Sequence, residues 1–314
     1  MKSQRVGAAR ASHELELLDR LPDGVIVVSK GGSIVYANRQ IERLTGYRRM
    51  ELLGQTMELL VPQRLRSSHR KHRRAYTSHP RRRPMGRAER DFLLRRKDGS
   101  ELVVDIALGP IGRPQEGEIA AVIRDASDRK RLEADLEHRA LHDPLTDLAN
   151  RNLFFDRLNQ ALLATQRNRQ PSALVMLDLN RFKSVNDAFG HVTGDAILRQ
   201  VAAKLQSGLR ATDTVARIGG DEFAWILPGI GSLNAAARKV RALLRAMPRR
   251  YSVGGKRIEI GISAGLALFP DDGDTVDALM RGADVALYRA KRQGLSLALV
   301  GQQAHRIGAR KTRP

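Results

Sequence analysis

The chain contains no cysteine, which excludes disulfides, thiolate metal centres, cysteine nucleophiles and cysteinyl-flavin photochemistry. No apolar stretch approaches the ~18 consecutive residues of a membrane span. The N-terminus, MKSQRVGAARASHELELLDRLP, is basic but lacks the apolar segment of a signal peptide. A soluble, cytoplasmic protein with no membrane partner is the expectation. Acids are scarce: 34 Asp and Glu against 55 Lys and Arg leave a formal net charge of +21. The excess is sharpest from Arg64 to Lys97, through RKHRRAY and PRRRP. That region lacks the interleaved aromatics and reading motifs of nucleic-acid binders, so a solvated basic face is the simpler account.

At 314 residues the length suggests about two domains. In the first, DGVIVVSKGGSIVYAN reads as two strands around Lys30-Gly31-Gly32. Short helices follow through RQIERLTGY and MELLGQTMELLVP, then a basic helix, RLRSSHRKHRRAYTS. ERDFLLRRKDGSELVVDIALGPI reads as a hairpin turning at Asp98-Gly99, and GEIAAVIRDAS as a closing strand. A small antiparallel sheet flanked by helices is implied. The order and spacing of these pieces resemble a PAS sensor domain.

The connector SDRKRLEADLEHRALHD is charged and free of Pro and Gly, and it sets Leu132, Leu136 and Ala140 at four-residue steps on one helical face. So narrow a stripe fits either a parallel coiled coil or a linker helix packing on its own domain. From Ser172 onward, strands alternate with amphipathic helices: SALVMLDL, AILRQVAAKLQSGLR, the hairpin TVARIGGDEFAWIL, NAAARKVRALLRAM, GISAGLALFP, TVDALMRGADVALYRAKRQG and LSLALV. This predicts a layered α/β domain on a mainly antiparallel sheet.

Asp178 closes a strand, and Asp221 and Glu222 stand side by side at a hairpin tip. Strand ends can deliver carboxylates to a common point, and Mg²⁺ binds a few such oxygens together with substrate phosphates. Gly219 and Gly220 would let backbone approach a nucleotide, and Lys183 and Lys291 would neutralise phosphate. Singly, Asp178 reads as a helix cap and the hairpin tip as an ordinary turn. Those readings leave the polar and small residues from Phe182 to Asp195 unexplained.

HDPLTDLANR, DLNRFKSVNDAFGHVTGD, RATDTVARIGGDEF, ISAGLALFPDDG and ADVALYRAKRQG together resemble the GGDEF domain of diguanylate cyclases. The resemblance implies an α+β protein: a PAS fold, a helical linker and a palm-like α/β domain that condenses two GTP into cyclic di-GMP and two pyrophosphates. The implied boundaries are 1–11 as a flexible N-terminus, 12–125 as PAS, 126–142 as a signalling helix or coiled coil, 143–300 as GGDEF, and 301–314 as a basic disordered tail.

By the same resemblance, Asp178, the Leu179 carbonyl and Asp221 hold Mg²⁺ or Mn²⁺, and Glu222 completes the acidic site and assists deprotonation. Asn186 and Asp195 read guanine; Phe182, Lys183 and Lys291 hold phosphates, and Gly219 and Gly220 bind the nucleotide through backbone. Leu295 occupies a position where the family usually carries a phosphate-binding arginine. Arg210 and Asp213 match the inhibitory RxxD that binds the product. Each domain holds one GTP, so ring closure implies a homodimer, which favours the coiled coil in the connector. The alternative reading is an inactive GGDEF domain that reports GTP or cyclic di-GMP; the presence of all three acids argues against it.

His69 stands where the haem-binding PAS domains of rhizobial histidine kinases carry the proximal ligand, and Arg90 where they contact bound oxygen. Haem is therefore one reading. A haem ligand must face an apolar pocket, whereas His72 and the neighbouring arginines suggest a solvated helix. An unidentified PAS ligand, or a pure relay module, is the other.

Overall fold

The structure is a computed structural model that describes residues 16–83, 91–111 and 117–301. Segment 1–11, the tail beyond Gly301 and Arg90 lie outside the described residues. The chain divides into two units between Asp135 and Leu136.

The first unit is built on an antiparallel sheet of five strands, β1 (Gly24–Val28), β2 (Ile34–Ala37), β3 (Phe92–Arg95), β4 (Glu101–Ile111) and β5 (Glu118–Asp125), in the order β2-β1-β5-β4-β3. α1 (Arg39–Thr45), α2 (Arg49–Leu52) and α3 (Arg66–Ser78) lie between β2 and β3. Asn38 starts α1 by accepting a hydrogen bond from the Ile41 N–H, and Gly46 ends it in the left-handed conformation. Ile26, Ile34, Ile41, Leu52, Leu60 and Ile123 form the core. The basic helix α3 buries none of its residues.

α4 (Ser127–Leu141) carries the connector and also buries nothing, with Leu132 and Leu136 both exposed. The chain then turns through His142 to Asn150. The Asn150 side chain caps α5 (Arg151–Asn168), a helix for which the sequence reading makes no provision.

The sheet of the second unit runs β12-β11-β6-β8-β7, comprising β6 (Ser172–Asn180), β7 (Thr214–Gly219), β8 (Glu222–Leu227), β11 (Gly261–Phe269) and β12 (Leu297–Leu299). Only β11 and β12 pair in parallel. A separate hairpin, β9 (Arg250–Val253) with β10 (Lys256–Glu259), buries Tyr251 and Ile258. Its strands of four residues are too short to show period-2 alternation clearly in the sequence.

β6 is buried through eight of its nine residues, as a central strand covered on both faces must be. Val175, Leu177 and Leu179 pack with α7 (His191–Ser207) and α8 (Leu233–Ala246). Leu174 and Met176 pack with α5 and α9 (Val276–Gln293). α9 lies so close to β11 that a Cβ on Gly265 would meet the Ala283 carbonyl at 2.1 Å and the Leu287 nitrogen at 2.2 Å. Glycine is obligatory there, and the close approach brings the α9 side chains to the end of β6.

Candidate functional site

Side chains alternate between faces along a strand, so Asp178 shares a face with Leu174 and Met176, toward α9. The antiparallel register sets Asp178 opposite Glu222 on β8 and opposite Ser263 on β11. Glu222 has the parity of Ala224 and Ile226, which also pack on that face. Asp178 is 5% exposed, and its Oδ2 meets Lys291 Nζ at 2.5 Å. The Leu179 N–H donates to the Asp221 carbonyl at 3.4 Å, tying the hairpin tip to β6.

Electrostatics make this an acidic site short of cations. Burial raises the Asp178 pKa above the ordinary carboxylate value and the Asp221 charge adds to it, against the pull of Lys291. Glu222 is raised by desolvation and by Asp178, Asp284 and Asp221 in turn. Asp284 on α9 is itself raised by desolvation. The sequence reading gives Asp284 no role, although it lies seven residues before Lys291, on the same helical face. Among the described residues no three His, Asp or Glu side chains form a metal-binding group. Two carboxylates and a carbonyl nonetheless suit magnesium, which takes little from protein and keeps water or phosphate for the rest. Mutual repulsion among the carboxylates favours such an ion.

The hairpin tip is held by Arg217. Its Nε and Nη2 donate to the Gly220 carbonyl at 3.0 and 2.8 Å, and its Nη1 donates to Asp143 Oδ1 at 3.0 Å. Asp143 also accepts from the Thr146 N–H and hydroxyl. The turn after the linker helix is thereby fastened to the acidic tip. Both residues sit inside recognisable motifs, but nothing local signals a pairing across 74 positions. Gly220 has φ +53, where glycine is favoured; Gly219 has an ordinary φ, and a Cβ there would meet nothing within 4 Å. Gly219 sits where the β7–β8 register slips, and the fold leaves open space where its Cβ would be.

Beside this tip, α6 (Phe182–Phe189) begins at Arg181 with no side chain capping its first amides. Such a terminus suits phosphate, and Lys183 lies exposed in its first turn. Further along, the Asn186 Oδ1 is buried without a hydrogen-bond partner. A Cβ on Gly194 would lie 1.9 Å from that oxygen, so the Asn186 amide keeps its position only because residue 194 is glycine. Asp195 follows, half-buried, on α7.

The two outer residues of the RxxD stretch lie in different environments. The Asp213 side chain is 3% exposed and ion-pairs with Lys239 Nζ, which itself sits 5.3 Å over the Trp225 ring. Asp213 accepts from the Arg210 backbone N–H at 3.1 Å and not from its guanidinium. The aspartate therefore shapes the loop and leaves the Arg210 side chain exposed. An open cleft of about 560 Å³ borders the loop, between Asp213, Gln206, Arg157 and Gln160. Lys239 is a residue that sequence spacing did not identify.

His69 does not fit a haem ligand. Its Nδ1 lies 3.1 Å from Glu58 Oε1, and Glu58, 6% exposed, also accepts from Arg73 Nε at 3.0 Å. Burial opposes ionisation of Glu58, but the hydrogen bonds from Arg73 and His69 outweigh it and hold the carboxyl below its ordinary value. The imidazole faces a carboxylate rather than an apolar pocket.

Comparison with known proteins finds a family model for each part of the chain. Residues 140–296 match the family model "Diguanylate cyclase, GGDEF domain", and residues 14–126 match "PAS fold". The probable diguanylate cyclase DgcE of Escherichia coli is 30% identical over 279 residues, covering 88% of this chain and 25% of the relative. The diguanylate cyclase TpbB of Pseudomonas aeruginosa is 41% identical over 162 residues, covering 51% of this chain and 37% of the relative. The crystal structure of the TpbB GGDEF domain has 36% identity and a TM-score of 0.49, covering 50% of this chain and 99% of that one. The chain thus spans between a quarter and somewhat over a third of the length of these two curated relatives. In the described residues no helix is long and apolar enough to cross a membrane. The chain belongs to the GGDEF diguanylate cyclase family and carries a PAS fold ahead of its GGDEF domain.

Proposed function

We propose that the chain is a diguanylate cyclase: the 3′-hydroxyl of one GTP attacks the α-phosphorus of a second, pyrophosphate leaves, and a repeat of the step closes the ring to cyclic di-GMP. The observation that carries this reading is the register pairing of Asp178 with Glu222, with Asp221 at the tip and Lys291 on Asp178.

Asp178, Asp221 and the Leu179 carbonyl would hold Mg²⁺ or Mn²⁺, which when bound polarises phosphate oxygens and stabilises the leaving group. Lys183, Lys291 and the first amides of α6 bind phosphate. Glu222, whose proton affinity is raised, is suited to take the hydroxyl proton. Asn186 and Asp195 read the guanine edge, since an amide can both donate and accept and a carboxylate can accept from two N–H groups.

One domain supplies one GTP, so the active form is a homodimer. The exposed Leu132 and Leu136 of α4, 63% and 66% accessible, support a coiled coil between copies. The PAS domain, with an unidentified ligand, would act by changing how the two half-sites meet. Arg210 binds the product in feedback inhibition. A cytoplasmic location fits this chemistry, since GTP is supplied there.

The test is incubation of the purified chain with GTP and Mg²⁺, beside Asp221→Ala, with chromatography for cyclic di-GMP and an assay for pyrophosphate. Product from the parent chain and none from the variant is expected. Saturable GTP binding without product would instead indicate a nucleotide receptor.

A further inference from the structure

One cleft of the second unit lies away from the acidic site. It encloses about 770 Å³ along the outer side of α9, between Arg281, Val285, Tyr288, Arg289 and Arg292 and the chain at Val300. Positions 281, 285, 288 and 292 are spaced four, three and four apart, which makes one continuous stripe. The stripe runs ~16 Å at 1.5 Å per residue. Val285 is 65% exposed and Tyr288 63%. Arg292 lies over the Tyr288 ring at 5.8 Å, and the Arg289 Nη2 donates to the Leu299 carbonyl at 2.8 Å. The floor of the groove is therefore fixed.

The residue types are those of an interface. Tyr and Arg are enriched at protein contacts and among their hot spots, while Lys is depleted; this stripe has two arginines and one tyrosine, Arg289 adds a third arginine to the cleft, and among the described residues neither a lysine nor a carboxylate lines it. Val285 and Tyr288 form an exposed apolar pair rimmed by arginine.

We infer that this groove docks an acidic amphipathic segment of a partner protein, its carboxylates on Arg281 and Arg292 and its apolar side chains on Val285 and Tyr288. Charge complementarity selects that occupant. Residues 302–314 of this chain contain no acid and five basic or imidazole side chains, His305, Arg306, Arg310, Lys311 and Arg313, so the chain's own continuation does not match. Asp284 and Lys291 lie roughly a quarter turn around the same helix. A partner seated here rests on the element that presents Lys291 to Asp178.

The test uses the full chain and a fluorescein-labelled helical peptide of two heptads, with Leu at the first and fourth heptad positions and Glu at most others, followed by anisotropy. Saturable binding is expected, weakened about tenfold or more by Tyr288→Ala, by Val285→Asp and by exchanging the peptide's Leu for Ser. R281E/R292E should abolish it. R70E/R74E on α3, which removes the same charge elsewhere, should change it by less than about twofold. Nucleotide turnover without peptide should be unchanged in all these variants. Absence of saturable binding overturns the inference. So does equal loss from both charge reversals with Tyr288→Ala silent, which would indicate diffuse attraction to a basic chain. A fall in self-association of the free chain on Tyr288→Ala would also overturn it, by assigning the groove to a second copy.

Discussion

Replacing Gly194 with alanine separates the nucleotide site from the fold around it. The new Cβ would lie 1.9 Å from Asn186 Oδ1 and 3.1 Å from Phe182 Cζ. The first contact is impossible, so the Asn186 amide must rotate away; the second asks the ring to yield by a few tenths of an ångström. Residue 194 is in α7, where alanine is the better helix former by ~1 kcal/mol, so stability should change little. The cost falls on ligand binding. A hydrogen bond between neutral groups contributes ~0.5–1.5 kcal/mol. Losing two from the displaced amide costs ~1–3 kcal/mol, or about 5- to 150-fold in GTP affinity. Calorimetric titration of GTP into the parent chain, Gly194→Ala, Asn186→Ala and the double variant reads this out. With residue 186 already alanine, the methyl at 194 has no oxygen to strike, so the double variant should bind about as weakly as Asn186→Ala alone. Additive penalties, or unchanged affinity in Gly194→Ala, would refute the reasoning.

Three further outcomes are expected. Burial opposes ionisation of Asp143, but hydrogen bonds from Thr146 and Arg217 prevail and depress its pKa. The resulting stability is present above the unfolded-state value and lost as pH falls through the folded one. Asp143→Asn should therefore be less stable than the parent at neutral pH, with the gap closing below about pH 4; urea unfolding followed through Trp225, the single tryptophan of the chain, checks this, and a constant gap contradicts it. Lys239→Met strands the buried Asp213 carboxylate at a cost of ~3 kcal/mol, largely recovered in Asp213→Asn/Lys239→Met; the same unfolding assay measures both. Arg210→Ala should abolish inhibition by cyclic di-GMP and leave the initial rate intact, and a progress curve that still slows as product accumulates would sink that assignment.

Much of the architecture was legible because local pattern dictated it. The apolar run of β6, the Asp98-Gly99 turn and the periodic apolar residues of α8 and α9 each follow from backbone geometry and side-chain spacing within a few residues. The acids of the site were legible for a related reason: carboxylates at positions 178, 221 and 222 have no place in an apolar strand pattern unless strand ends bring them to a common site. α5 and the β9–β10 hairpin were missed because one follows a polar turn and the other is too short to display its period.

The sequence by itself determined the element types, the antiparallel sheets and the identity of the acidic residues. Only the tertiary structure decided which groups meet. It joined Asp143 to Arg217, set Asp284 beside Glu222, committed Asp213 to Lys239 and not to the Arg210 guanidinium, and turned His69 onto Glu58. It also gathered Val285, Tyr288 and three arginines into one groove. Each of these depends on strand register and on the close seating of one element on another, as where Gly265 admits α9, and those distances are properties of packing that no local run of residues encodes.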